Sequence, residues 1–469
     1  MCALSLPHKK QVLAPFQLIQ KYDRPGPRYT SYPTVPVWTD SVGTDDYANA
    51  LDLAAQNKNE PLSLYLHLPF CEKRCYFCGC NVFIPRRPEH ITEYVAAIIT
   101  EIHRVADRLA PRNIVTQLHF GGGTPTYLSV DTFGQVMAAL KERFVFTDDA
   151  ELSIEVDPRV TTRVHLNFLA DHGFNRISMG VQDFDPSVQK SIGREQSYDR
   201  TKRCIEFARE KGFKSVNLDL IYGLPQQTVE TFRLTIKKTI ELSPDRLAVY
   251  SFAYLPSLMA NQKLIKEEQL PNPQVKYELS NAAYELFTAH GYRHIGMDHY
   301  ALPDDELTIA QHEGRLMRNF MGYTVSKATD LIGIGISAIG LVNNTFVQND
   351  TDMAGYLSSV NSGGFATKRG LMMSQDDLIR EYIIAQIMCN FTLDAEKFKE
   401  KFGLSFSEHC QDEISNLETF IDDDLLVKNE RGLQITDLGR GFVRNIAMVF
   451  DAHIKAPNAK KPLNFSRTI

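Results

Sequence analysis

Six short apolar runs, each followed by an amphipathic stretch of about three or four helical turns, constrain this chain more than any other feature. SLYLHLP (63–69), VTQLHF (115–120), ELSIEVD (151–157), RISMGVQ (176–182), VNLDLIYG (216–223) and RLAVYSFAY (246–254) read as strands. Between them stand helical stretches such as ITEYVAAIITEIHRVADRL, DTFGQVMAALKERF and SYDRTKRCIEFAREKGF. Such alternation builds a parallel sheet from βα units. Six units fall short of an eight-fold barrel, so periodicity alone allows an open doubly wound sheet or a partial barrel. In either architecture, chemistry collects at the carboxyl ends of the strands.

At 469 residues the chain exceeds one ordinary domain. We expect an N-terminal arm and lead-in over 1–60, a catalytic barrel over 61–365 and a helical domain over 366–469. In the last, LIREYIIAQIMCNF, DAEKFKEKFG, SFSEHCQDEISNLETF and ITDLGRGFVRNIAMVFDAHI read as helices around a hairpin with NERG at its tip, a winged-helix-like pattern. The acidic IDDD before the hairpin disfavours DNA there, and a structural or lid role is expected. The tail APNAKKPLNFSRTI reads as irregular and partly mobile. With 51 basic and 57 acidic residues well mixed, a formal charge of -6 argues against nucleic acid as a partner. No apolar stretch approaches the roughly 20 residues of a membrane helix, and MCALSLPHKKQVLAPF lacks a signal-peptide core, so a cytoplasmic protein without a membrane partner is expected.

CEKRCYFCGC (71–80) gathers four of the eight cysteines into ten positions directly after the first strand. Soft thiolates select zinc or an iron–sulfur cluster. Structural zinc commonly takes two separated cysteine pairs. The C-x3-C-x2-C spacing of Cys71, Cys75 and Cys78 better suits a cubane with one iron left open, although a zinc knuckle recruiting Cys80, or plain reduced thiols, remains compatible with spacing. GGGTP (121–125) also follows a strand, and glycines there let backbone approach a ligand closely. Glu155 lies between Ile154 and Val156 and needs a polar partner if buried. Gln182, Arg194 and Asp219 read individually as a strand-end amide, a helix-cap arginine and a strand carboxylate.

With Phe77 before its last cysteine, the C-x3-C-x2-C motif resembles the signature of the radical S-adenosylmethionine (SAM) superfamily. RYTSYPT (28–34), CYFCGCN, LHFGGGTPTYL, NLDLIYGLP, IGMDHYALPDDEL and RNFMGYT narrow the likeness to the oxygen-independent coproporphyrinogen III oxidase family, and the match runs from the arm to the last helix. The resemblance implies a partial (β/α)6 barrel with a mainly helical C-terminal domain. It implies one [4Fe–4S] cluster on Cys71, Cys75 and Cys78, with SAM on the fourth iron. Tyr65, Gly122, Glu155 and Ile339 are implied to meet that SAM, with Glu155 and Tyr65 assigned to catalysis. A second SAM is implied at Phe77, Gly123, Thr124, Gln182, Arg194, Asp219 and Ala253. The implied reaction takes two propionates of coproporphyrinogen III to vinyls, giving protoporphyrinogen IX for haem synthesis. A radical made from SAM removes a hydrogen from the propionate β-carbon, and carbon dioxide and one electron then leave. An unidentified reductant protein is the expected partner, and the chain is expected to act as a monomer.

Cys80 has no place on a cluster whose fourth iron binds SAM, and is expected beside it. Its C-x-C ending and the arm distinguish oxidases from the haem chaperones of the same family; a radical SAM methyltransferase acting on haem is the other alternative. The arm, RPGPRYTSYPT, is too rich in proline and glycine for a helix and reads as extended. Arg24 or Arg28 is the expected partner of a substrate carboxylate, and an unchanged Michaelis constant in Arg28→Ala would count against it. One departure stands at Met321, where the family usually has glutamine, because a thioether cannot reproduce an amide's hydrogen bonds.

Overall fold

The structure, a computed structural model, describes residues 15–325, 328–454 and 465–468. The first fourteen residues, which carry most of the N-terminal stretch read for a signal peptide, and most of the tail lie outside the described residues. The chain forms two compact units. One takes Trp38–Ile309 and Thr324–Met373; the other takes the segments up to Val37, Ala310–Tyr323 and from Ser374 onward.

All six expected strands form in the first unit: β1 (Leu62–Leu68), β2 (Ile114–Gly122), β3 (Val145–Val156), β4 (Arg176–Gln182), β5 (Ser215–Tyr222) and β6 (Arg246–Ser251). Each pairs in parallel with the next. In β1, Leu62, Leu64, Leu66 and Leu68 are fully buried against the helices, so Ser63, Tyr65 and His67 turn to the opposite face. Four connecting helices start on a Ser or Thr whose hydroxyl accepts a first-turn amide, at Ser129, Thr162, Ser197 and Thr228.

The sheet is larger than the six units. Strands β7 (Arg293–Gly296), β8 (His299–Ala301), β9 (Asp330–Ile334), β10 (Ile339–Val342), β11 (Thr345–Asn349) and β12 (Thr367–Met372) extend it to the order β12-β11-β10-β9-β1-β2-β3-β4-β5-β6-β8-β7. β9 adds a seventh parallel strand, on the far side of β1. β10 to β12 continue from it antiparallel, as β8 and β7 do beyond β6. The glycines of DLIGIGISAIGLV hide these strands from propensity, yet they are required: a Cβ on Gly333 would stand 2.4 Å from the Ile339 carbonyl oxygen, and one on Gly340 would stand 2.9 Å from that of Leu331. The sheet ends at two unjoined edges, consistent with the partial barrel implied by the resemblance.

At the amino end of the strands, the buried Arg112 guanidinium pairs with Asp330 at 2.5 Å and donates to the carbonyls of Ala54, Glu60 and Pro61. Asp330 in turn accepts the Asn343 amide at 2.7 Å. Removing one partner strands a buried charge. Arg112→Ala is therefore expected to cost about 3–5 kcal/mol, read as a lowered urea midpoint with unchanged slope.

In the second unit, helices Gln375–Ala385 and Ala395–Phe402 precede the expected hairpin, Leu426–Asn429 with Gly432–Ile435, and Thr392–Asp394 adds a third strand. The winged-helix-like reading is matched in outline, with two corrections of detail. SFSEHCQDEISNLETF forms three short helices, Phe406–His409, Gln411–Ser415 and Glu418–Asp422. The last segment also breaks into short turns, because Gly439 packs against the Leu425 carbonyl where no Cβ fits. Asp423 of the acidic IDDD accepts bonds from Lys21 and Tyr22, both at 2.5 Å, so it anchors the N-terminal segment.

The arm is extended, as expected, and is held within this unit. Arg444 donates to the carbonyls of Gly26, Pro27 and Arg467, and Tyr29 donates to Asp451 at 2.9 Å. The described end of the tail corrects the mobile reading: Pro25 and Arg467 form an antiparallel bridge, and the Thr468 amide donates to Arg24 O at 2.9 Å.

Candidate active site at the carboxyl ends of the strands

The loop after β1 carries the cysteines and is tied down by its backbone. The Cys71 amide donates to Phe83 O at 3.2 Å, Phe83 returns a bond to Pro69 O at 2.8 Å, and Tyr76 donates to Ile192 O at 3.0 Å. Asn261, from the irregular segment after β6, spans the loop with one side-chain amide that reaches the carbonyls of Cys75, Tyr76 and Cys78 at 3.2, 2.9 and 2.9 Å. Gln262 joins the carbonyls of Phe77 and Ala253.

GGGTP turns against the base of this loop. Gly123 N–H donates to Leu68 O and Thr124 N–H to Phe70 O, both at 2.8 Å. A Cβ on Gly123 would lie 2.5 Å from Pro69 O, and Gly122 combines a φ of +112° with the His67 ring 2.7 Å from its Cβ position. The Gly122 amide donates to Glu155 Oε2 at 3.2 Å, and His119 Nε2 stands 3.6 Å from Glu155 Oε1. These supply polar partners for Glu155 at the end of β3.

Between the two loops lies a cavity of about 350 Å³. Its lining includes Cys71, Cys75 and Cys78, with Phe77, Gly122, Gly123, Thr124, Glu155, Gln182, Arg194 and Asp219, so most of the expected site residues converge. Cys80 borders it too, exposed at one end. Tyr65, Ala253 and Ile339 do not border it. The Tyr65 hydroxyl pairs with His67 Nδ1 at 3.0 Å and its ring stacks on His119; Ala253 is exposed; Ile339 is half-buried at the start of β10. Arg24 and Arg28 lie in the other unit.

Several lining residues escape sequence reasoning. Asp157 ends β3's extended run in an unremarkable Asp-Pro-Arg turn, yet it receives the Arg159 fork through Nε and Nη2 and Arg194 Nη1 at 3.0 Å. Burial pushes its carboxyl up, but the two guanidiniums outweigh this and hold it below its ordinary range. Asn261 has no sequence signal at all, since its role exists only once the segment after β6 folds over the cysteine loop.

Asp219 Oδ1 accepts from Asn217 at 2.8 Å, with Ser178 Oγ 3.4 Å from Oδ2. Burial first, and then the Glu155 charge, raise its carboxyl from 3.8 to about 7 against the lowering effects of Asn217, Ser178 and Arg194. Between these values the folded protein holds a proton that the unfolded chain has lost, so this group makes stability fall as pH rises. Asp219→Asn should remove that contribution: its urea midpoint is expected to gain on the parent's as pH rises from about 4 to about 7.

The donor set fits a polynuclear cluster. Among the described residues no three His, Cys, Asp or Glu side chains are gathered closely enough to share one ion. The three thiols instead border one cavity, a spread that suits a cubane in which each thiolate takes its own iron. Gln182 Oε1 and Arg194 Nε, both buried and on residues lining that cavity, lack hydrogen-bond partners among the described residues, so an acceptor and a donor remain for a polar ligand. The left-handed φ of +68° at Gln182 is a further sign of a backbone shaped around this site.

A cysteine loop and a glycine turn meeting at the carboxyl ends of a partial barrel define the radical SAM class, and residues 65–239 match the model of the radical SAM superfamily. Residues 373–442 match that of the HemN C-terminal domain. The chain is 44% identical over 452 residues to the oxygen-independent coproporphyrinogen III oxidase of Escherichia coli, covering 96% of this chain and 98% of that one. It is 42% identical to the enzyme of that name from Pseudomonas aeruginosa, with the same coverage of both chains. The solved coproporphyrinogen III oxidase HemN from E. coli, described as a radical SAM enzyme, superposes with a TM-score of 0.90 at 42% identity, covering 95% of this chain and all of that one. The chain belongs to the oxygen-independent coproporphyrinogen III oxidase family.

Proposed function

We propose that the protein oxidatively decarboxylates two propionate side chains of coproporphyrinogen III to vinyls, yielding protoporphyrinogen IX in haem biosynthesis. The observation that carries this is the cavity where the cysteine and glycine loops meet, within a fold matched to the family along nearly its whole length. Cys71, Cys75 and Cys78 would hold a [4Fe–4S] cluster. When bound, the cluster and SAM supply a radical able to take hydrogen from an unactivated carbon.

Each chain residue then has a positioning task. Gly122 and Glu155 would face the SAM at the cluster, with Tyr65 and Ile339 reaching it after a modest shift. Phe77, Gly123, Thr124, Gln182, Arg194, Asp219 and Ala253 would hold a second SAM, which suits a reaction performed on two propionates. The orphaned atoms of Gln182 and Arg194 support that placement. A reductant protein would deliver the electrons. Among the described residues no helix is long and apolar enough to cross a membrane.

The test is an anaerobic assay with reconstituted protein, SAM, dithionite and coproporphyrinogen III, followed by chromatography of the oxidised porphyrins. Protoporphyrin formed together with 5′-deoxyadenosine is the expected result, and would show that Met321 is tolerated. Deoxyadenosine without protoporphyrin would reject this substrate while keeping the radical chemistry.

A further inference from the structure

Cys75 is the most buried of the three clustered thiols, and its surroundings differ from those of Cys71. Cys71 Sγ meets a neutral hydroxyl, Thr124 Oγ1, at 3.5 Å. Cys75 Sγ faces two guanidiniums, Arg159 Nη2 at 3.8 Å and Arg194 Nη1 at 3.9 Å. Both arginines are held by Asp157, whose two carboxylate oxygens take the Arg159 fork. Their side chains are only 14% and 9% exposed, so water screens them little. Neutralising Asp157 would need one arginine; two leave a net positive charge beside the sulfur.

We propose that Asp157 is a positioning residue that fixes Arg159, with Arg194, as charged hydrogen-bond donors to the Cys75 sulfur, and that this pair makes the cluster easier to reduce. This rests on the reading of Cys75 as a cluster ligand. Reduction adds one electron, supplied by an external one-electron donor, and no proton; the added negative charge is stabilised by fixed cations and by N–H groups directed at the sulfur. Thr124 offers Cys71 no comparable charge, so the effect is concentrated at one corner of the cluster. Arg159 is the residue to test, since Arg194 is already assigned to SAM.

The experiment is a dithionite titration of the anaerobically reconstituted full chain, with redox mediators, following the reduced cluster by electron paramagnetic resonance after counting iron. Arg159→Met is expected to retain its iron and to show a reduced-to-oxidised ratio about tenfold lower at a fixed potential, a shift of about 59 mV to more negative values for one electron. Arg159→Lys keeps the charge but cannot both fork onto Asp157 and reach the sulfur, so it should show a smaller shift in the same direction. A merely structural arginine would alter unfolding and leave this ratio alone. An unchanged ratio in Arg159→Met overturns the proposal, and if that variant holds no cluster, an unchanged ratio in Arg159→Lys overturns it. Full iron in Cys75→Ala would instead overturn the ligand assignment, a separate outcome.

Discussion

Cys75→Ala should emerge from anaerobic reconstitution with little bound iron and sulfide, and with activity below detection. The reason lies in the geometry of the loop. Its backbone is pinned by Phe83, Ile192 and Asn261, so a neighbouring cysteine cannot slide along to replace a lost ligand. Cys80, the one spare thiol in the loop, sits at the exposed end of the cavity, whereas Cys75 is buried beside Asp157 and its arginines. Two thiolates cannot keep a cubane whose remaining irons must all find other donors. Cys80→Ser is the matched control: it should keep its iron and the visible absorption of the cluster. Iron analysis and absorption spectra on both variants check the pair, and full iron in Cys75→Ala would refute the ligand set.

Gly123→Ala should be the most damaging change of a single methyl group. Its Cβ would stand 2.5 Å from Pro69 O and 2.7 Å from Phe70 O, both backbone atoms that no side-chain rotation can move. The glycine loop would have to retreat from the root of the cysteine loop, breaking the amide bonds from Gly123 to Leu68 and from Thr124 to Phe70. A displacement near 1 Å between reacting groups costs about 100-fold in rate, so kcat/KM should fall by at least roughly that factor. Iron content should persist, because the cysteines themselves remain. Activity within a few-fold of the parent would show that the turn has slack the structure does not suggest. Gly134→Ala is the control, since its Cβ would meet only the Phe168 ring, at 3.6 Å.

Legibility from sequence follows how local each cause is. β1 to β6 were readable because their apolar runs answer to burial in a parallel sheet, a pattern written into consecutive residues. β9 and β10 were not, because their glycines answer to the close approach of another backbone. At the site, the cysteines announce themselves by spacing, and Glu155 by the cost of a carboxylate between two apolar neighbours. Asp157, Arg159 and Asn261 carry no such mark. Each acquires its role from partners 37 to 186 positions away, as in the Asp157–Arg194 and Asn261–Cys75 contacts. The breaks in the last helical segment depend likewise on Gly439 meeting Leu425 after the chain has folded back.

The pairing of arm and tail also sets an order of assembly. Asp23 and Arg467, which bond to each other, are 444 residues apart. At about 5–20 residues per second, the ribosome makes the arm's partner roughly 20–90 seconds after the arm itself. Through that interval the barrel's strands can pair, but the arm has neither Arg444 nor the Ser466–Thr468 segment to bind. The first part of this protein to be synthesised is thus among the last to find its place, and a ribosome that stops a few codons early releases a chain whose beginning, rather than its end, is left unfastened.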